Sequence, residues 1–155
     1  MTSKVGEEQY IIFKLGENIY GINIQYVREV VEPKKITKLP KAPYYVEGIM
    51  DLRGKLITLV NLSRILNIEE GSSTNKRKVL IMNTGSINVG EQKTETGLIV
   101  DHVLGVLRAN SVESEKNTVP SEVVDRVIRH QDKLILILDA RKILELIGSE
   151  INMDM

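Results

Sequence analysis

The chain has no cysteine and no tryptophan among its 155 residues, and only two histidines. Without cysteine there are no disulfides, no thiolate nucleophiles, no thiolate zinc sites and no iron–sulfur clusters. Small secreted domains usually need such staples, so the composition favours the cytoplasm. The first eight residues, Met1 to Glu8, hold no apolar core of the kind a secretory signal requires. No long hydrophobic run is present either. The longest unbroken aliphatic stretch is Leu134 to Leu138, whereas a membrane-spanning helix needs about 20 apolar residues. Charge of one sign is also missing: 21 basic side chains face 21 acidic ones. That balance argues against a nucleic-acid binder driven by bulk positive charge.

Aromatic residues are scarce, at one Phe and five Tyr, so the core must be aliphatic. Many of its positions are Val and Ile, which favour strands. Tyr10 to Leu15 and Ile19 to Ile24 read as strands around Gly16-Glu17-Asn18. Val27 to Val31 fits a strand or a helical turn. Pro33, Pro40 and Pro43 make 32–45 extended and loop-like. Gly48 to Leu52 and Lys55 to Val60 flank Arg53-Gly54 as a hairpin, and a short helix follows from Leu62 to Leu66. Residues 69–78 are the clearest polar linker. Val79 to Met82 is a strand, and 84–96 is a polar hairpin loop or an excursion. Gly97 to Val100 and Val103 to Leu107 are apolar again, and 109–121 is polar. Val123 to His130 and Leu134 to Leu138 pair around Gln131-Asp132-Lys133, and a last helix runs from about Ala140 to Ile147, stopped by Gly148.

An internal repeat underlies this pattern. Lys55 to Leu66 matches Lys133 to Leu144, each a strand that runs directly into a helix. Asn61 and Asp139 take the N-cap positions, where a side-chain oxygen accepts free backbone N–H groups. Val60 with Ile65, and Leu138 with Ile143, stand at hydrophobic-staple positions. Gly21 to Val27 matches Gly97 to Val103, and the apolar pairs Val30-Val31 and Val106-Leu107 follow at the same distance. The second match is displaced by 76 positions (21 to 97) and the first by 78 (55 to 133). Agreement in order and spacing identifies a duplication of one small β unit. Each half is too small for an open sheet with long free edges, so the expected architecture is mainly β: two small packed barrels with short helices. A partner is expected in the groove between them.

No Gly-x-Gly-x-x-Gly, phosphate loop or His-Glu-x-x-His occurs. Asp101 and His102 are neighbours, but successive strand residues point to opposite faces, so they form no dyad. Lys34, Lys35, Lys38 and Lys41 form one basic stretch and Lys76-Arg77-Lys78 another, neither interleaved with aromatics for base stacking. Both read first as solvated loop, and second as contacts for a phosphate or an acidic partner. Tyr44-Tyr45 reads as packing beneath the proline loop rather than as a recognition patch. With no convergent nucleophile, base or metal set, the chain is expected to be a binding module without catalytic residues, metal or cofactor.

A further pattern lies in Tyr20-Gly21-Ile22, Val27-x-Glu29-Val30-Val31, Ile36-Thr37-x-Leu39-Pro40-x-Ala42-Pro43, Val46-x-Gly48-Ile49 and Leu52-Arg53-Gly54. It continues through Ile57 to Leu62, Gly97 to Val103 and Leu134 to Asp139. This ordered set, from about Gln9 to Leu146, resembles the CheW family of bacterial chemotaxis adaptors. The resemblance implies two SH3-like β-barrels. It also implies a non-enzymatic protein that couples the histidine kinase CheA, through the kinase's regulatory domain, to the cytoplasmic tips of methyl-accepting chemoreceptors. Such a protein would be cytoplasmic and recruited to membrane-bound receptor arrays, with no nucleic-acid binding and no membrane insertion.

The residues that the resemblance marks as binding a partner or shaping its surface are Val27, Glu29, Ile36, Gly48, Leu52, Arg53 and Gly54. Glu29 and Arg53 each lie in an otherwise apolar segment and are expected to pair. Gly48 and Gly54 are expected to serve backbone geometry. The expected organisation is a flexible stretch over 1–8, a CheW-like domain over 9–147 and a tail over 148–155. Within the domain, subdomains of about 9–70 and 79–147 flank the linker at about 70–78, with exchange of strands or helices between them allowed. Alternative readings are a regulatory CheW-like module of a larger kinase or coupling protein, an oligonucleotide-binding small barrel, and an uncharacterised enzyme. The initial Met1 and the lack of room for a receiver or ATP-binding domain argue against the first. The absence of exposed aromatics in a basic groove argues against the second.

Overall fold

The computed structural model describes residues 8–71, 75–108, 113–115 and 122–151. Among these residues twelve strands alternate with little helix: β1 (Gln9–Leu15), β2 (Asn18–Asn23), a 3-10 turn (Ile24–Tyr26), β3 (Val27–Val31), β4 (Val46–Leu52), β5 (Lys55–Asn61), α1 (Leu62–Ile65), β6 (Lys78–Met82), β7 (Ile87–Val89), β8 (Gln92–Val100), β9 (His102–Arg108), β10 (Glu113–Glu115), β11 (Val124–His130), β12 (Lys133–Leu138) and α2 (Ala140–Ile151). Val27 to Val31, left open by the sequence, is a strand because β6 pairs with it. Gly148 does not stop the last helix, which runs on to Ile151. A helical glycine costs about 1 kcal/mol, and the burial of Ile143 and Ile147 anchors the turns before it. The expected tail over 148–155 therefore begins inside a helix, and 152–155 lie outside the described residues. Of the N-terminal stretch only Glu8 is described, and its carboxylate accepts from Tyr10 Oη at 2.6 Å.

The strands form two sheets, ordered β10-β11-β12-β2-β1-β9 and β3-β6-β8-β5-β4, with β7 added to β8. The duplication is visible in the register. Parallel pairing sets Leu59 opposite Gly97 in one sheet and Ile137 opposite Gly21 in the other. A Cβ on Gly97 would stand 2.6 Å from Val79 Cγ1, and one on Gly21 would stand 2.8 Å from Ile137 Cδ1. A side chain at either position would therefore force neighbouring side chains to shift. The bulge between Val46 and Gly48 recurs between Val124 and Arg126. Asn61 Oδ1 accepts from Arg64 N at 3.1 Å, and Asp139 Oδ1 from Lys142 N at 3.2 Å. Even the amides entering the caps match, since Asn61 N donates to Tyr45 O and Asp139 N to Val123 O, both at 2.7 Å.

The two halves are interleaved. The β1–β2 hairpin joins β9, β11 and β12 from the second half, while β6 and β8 join β3, β4 and β5 from the first. The expected 70–78 linker, of which 72–74 lie outside the described residues, falls between α1 and β6; β5 and β6 belong to one sheet, and the chain passes between sheets at Ile24–Tyr26 and at Asp101. This pairing explains the unbroken aliphatic runs, because strands buried on both faces need not alternate. On β6, Leu80 and Met82 enter a core shared by both sheets and α2, while Val79 and Ile81 face the interior of their own sheet. On β1, Phe13 and Leu15 enter the shared core, and Tyr10 and Ile12 face the other way. The shared core is the largest of the three among the described residues, so apolar side chains from both sheets and α2 meet where the expected partner groove would lie.

The cap geometry gives a direct test. Asp139→Ala is expected to lower stability by about 1 kcal/mol, or about 2–4 °C in melting temperature, while Asp139→Asn stays within a few tenths of a kcal/mol of the parent. Thermal melts of the two variants check this.

Candidate functional site

All the marked residues but Val27 gather along one seam of the second sheet. β3 and β4 are its two edges, and the segment after β3 returns to β4 through Thr37 and Ile49. These two exchange both backbone hydrogen bonds at 2.8 Å. Gly48 lies beside that bridge with φ +149, where a Cβ would meet Thr37 O and Ile36 Cγ2. Arg53 and Gly54 form the β4–β5 turn with φ +52 and +87. Both values are positive, as a tight hairpin turn of this hand requires. From this turn Arg53 Nη2 donates to Glu29 Oε2 at 2.6 Å, so the expected pair forms and straps one sheet edge to the other. Leu52 is buried in the core of that sheet, with Ile36 half-buried against it. Val27 is not part of the seam, since it packs against the core shared by both sheets.

The strap is one end of a charge chain. Arg28 Nε stands 3.7 Å from Glu29 Oε2, Arg28 also donates to Glu95 on β8, and Lys55 Nζ stands 3.7 Å from Glu95. The hydrogen bond from Arg28 holds the Glu95 carboxyl below the usual carboxylate range, and the reciprocal contact raises the Arg28 guanidinium. Arg53 is 66% exposed and Glu29 29%. The guanidinium therefore faces solvent and is accessible to a partner.

Three further features escaped sequence reading. Glu47, the bulge residue beside Gly48, accepts from Arg77 at 2.8 Å and from the Asn61 amide at 2.7 Å. Glu70 accepts from Arg64 and Asn61 close by. No local pattern links residues so far apart in sequence. Second, Tyr44 and Tyr45 part company: Tyr45 is buried as expected, but Tyr44 is 73% exposed with Arg64 stacked 5.1 Å from its ring centroid. Third, β9 is a sheet edge that exposes Leu104 and Val106. The repeat held a signal for this last feature, because Val30 occupies the position equivalent to Val106 on edge strand β3 and is also exposed.

Asp101 does not join His102 in a dyad. Its Oδ2 accepts the backbone amides of Gly16 at 2.7 Å and Gly71 at 3.0 Å, tying three segments where the chain crosses between sheets. Among the described residues no group of three or more His, Asp or Glu side chains is placed to hold a metal ion.

The CheW-like domain model matches residues 9–148. A chemotaxis protein CheW from Thermotoga maritima is 30% identical over 148 residues, covering 94% of this chain and 93% of that protein. A chemotaxis protein CheW from Treponema pallidum is 29% identical over 146 residues, covering 90% and 84%. The crystal structure of a scaffolding protein, TtCheW from Thermoanaerobacter tengcongensis, superposes with a TM-score of 0.68 at 32% identity, covering 85% of this chain and 84% of that one.

Proposed function

This chain belongs to the CheW-like domain family and is a non-enzymatic chemotaxis adaptor, and on that premise we propose that it couples the histidine kinase CheA to the cytoplasmic tips of chemoreceptors. The observation that carries the reading is the family match over 9–148, which takes in both sheets rather than one motif. Two surfaces suit the task. The seam of the second sheet presents Glu29 and Arg53, with Ile36, Gly48, Leu52 and Gly54 shaping the backbone beneath. The β9 edge of the first sheet offers Leu104 and Val106 on a strand that, among the described residues, pairs only with β1, which suits docking of another β element. Val27 supports this arrangement from the shared core. The working place is the cytoplasmic face of receptor arrays. Among the described residues no helix is long and apolar enough to cross a membrane.

Pull-down against the kinase regulatory domain and a receptor cytoplasmic fragment is expected to capture both. Capture of neither overturns the reading. The Glu29–Arg53 strap is solvent-screened, so Arg53→Glu is expected to cost no more than about 1 kcal/mol of stability yet to weaken receptor capture by about tenfold. The swap Glu29→Arg/Arg53→Glu restores the strap. Recovery of the melting temperature without recovery of capture places the guanidinium in the partner contact. Recovery of both leaves the pair a purely structural strap.

A further inference from the structure

The loop between β3 and β4 has a feature that the coupling reading does not use. Residues 37–46 are pinned by the Thr37–Ile49 bridge, by Val46 N to Pro43 O at 3.0 Å and by Asn61 N to Tyr45 O at 2.7 Å. The loop thus forms a rigid ridge with a cleft on each side. One cleft, of about 330 Å³, is lined by Lys38, Lys41, Pro43, Tyr44, Glu47 and Arg64. The other, of about 130 Å³, is mainly apolar, with Leu39, Pro40, Val46, Ile87 and Val89 in its walls. An apolar cavity of about 150 Å³ takes up a benzene-sized group, so this smaller cleft suits a single aliphatic side chain. Leu39, Lys41, Ala42 and Pro43 belong to both walls, so one short segment laid across the ridge reaches both clefts.

The charges on the ridge are unbalanced. Glu47 is committed to Arg77 and Asn61, and Arg64 to Glu70. Among the described residues Lys38 and Lys41 have no ion-pair partner. Lys41 also has φ +63. A left-handed backbone costs a side-chain-bearing residue about 1–2 kcal/mol, and glycine escapes that cost. A lysine there keeps an ammonium group at the crest of the ridge at the expense of local strain, and such strain points toward function.

We infer that this ridge is a docking site for an acidic polypeptide segment that carries an aliphatic side chain next to its carboxylates. The aliphatic group fills the Leu39–Ile87 cleft while the carboxylates meet Lys38 and Lys41, with the Tyr44 ring as a fixed wall. A nucleic acid fits less well. Tyr44 is the one exposed large aromatic among the described residues, and one face of its ring is already covered by the Arg64 guanidinium. A flat anionic membrane would not reach into either cleft. The ridge shares the Thr37–Ile49 bridge with the seam but rests on Lys38, Lys41 and the two clefts rather than on the Glu29–Arg53 strap, so its test does not depend on which proteins the adaptor joins.

The test is an amide NMR titration of the full chain with the capped peptide Glu-Glu-Leu-Glu-Glu-Leu-Glu-Glu, followed by thermal melts. Saturable shifts are expected at the amides of Lys38, Leu39, Lys41, Ala42 and Tyr44 and of 87–90, absent with the glutamine-for-glutamate peptide. Lys41→Gly is expected to melt at or above the parent temperature while weakening the peptide about fivefold, the scale of one exposed charge contact, with Lys38→Gln/Lys41→Gly weaker again. Shifts confined to other surfaces, equal binding of the glutamine peptide, or unchanged affinity in both variants would overturn the assignment. So would binding of oligothymidylate or phosphatidylglycerol vesicles at these residues without peptide binding.

Discussion

Replacing Gly48 with alanine is expected to destabilise the protein by about 3 kcal/mol, a fall of about 6–12 °C in melting temperature for a chain of this size. The new Cβ would lie 2.3 Å from Thr37 O and 2.9 Å from Thr37 C. Both are backbone atoms and cannot rotate aside, as a side-chain end could. Relief requires the loop to lift away, which breaks the two 2.8 Å hydrogen bonds between Thr37 and Ile49 that close the seam. The backbone adds to the cost, because φ +149 is a conformation side-chain-bearing residues rarely take. Gly54→Ala is the internal control. Its φ of +87 is also strained, but a Cβ there meets nothing within 4 Å, so only about 1 kcal/mol is expected. Urea midpoints of the two variants measure the difference. Equal midpoints would mean that crowding at the seam contributes nothing. Partner capture lost by Gly48→Ala and recovered on cooling below its transition would show that the residue acts through shape.

Glu47→Ala is the second large effect, expected at about 2 kcal/mol. Glu47 and Arg77 are 13% and 19% exposed, so each is largely removed from water. Removing the carboxylate strands the Arg77 guanidinium and leaves the Asn61 amide only its 3.2 Å bond to Glu70. Breaking a fully buried pair costs about 3–5 kcal/mol, and the partial access of water here reduces that figure. The double variant Glu47→Leu/Arg77→Met leaves no uncompensated charge and should recover most of the loss.

The same group predicts a pH dependence. Burial pushes the Glu47 carboxyl up, but hydrogen bonds from Arg77 and Asn61, with the charges of Arg77 and Arg64, outweigh it and hold the group below its ordinary 4.5. A carboxyl depressed in the folded state contributes stability that is fully present above its unfolded value and lost as pH falls through its folded one. The stability gap between the parent and Glu47→Gln should therefore be constant from neutral pH down toward 4.5 and close below it. Melting curves across that range report it, and a gap that persists in strong acid would remove Glu47 as the titrating group.

The candidate site was partly legible for a physical reason. A charge in an apolar strand demands a partner, so Glu29 and Arg53 could be matched although 24 positions apart, and the structure places them in contact. Glu47 also lies in an apolar strand, but its partner Arg77 sits in the polar run Asn75 to Lys78, where nothing singles it out, and only the fold brings the two together and largely shields them from water. Tyr44 and Tyr45 show the same limit. Neighbours in extended chain face opposite ways, and composition does not choose which one is buried.

By itself the sequence determined the mainly β class, the duplicated unit, its N-caps and hairpin turns, and the family to which the adaptor belongs. Each of these rests on local patterning: apolar periodicity, a side chain that caps the residues next to it, a glycine where a Cβ has no room. Only the tertiary structure decided that the two β units exchange strands, with β1 and β2 completing one sheet and β6 and β8 the other. Equivalent strands present equivalent edges, so local pattern is the same whether a strand pairs within its own half or across to the other. The choice is made by burial. Crosswise pairing places apolar side chains on both faces of β1 and β6 in packed cores, and the largest of those cores exists only once the halves are interleaved.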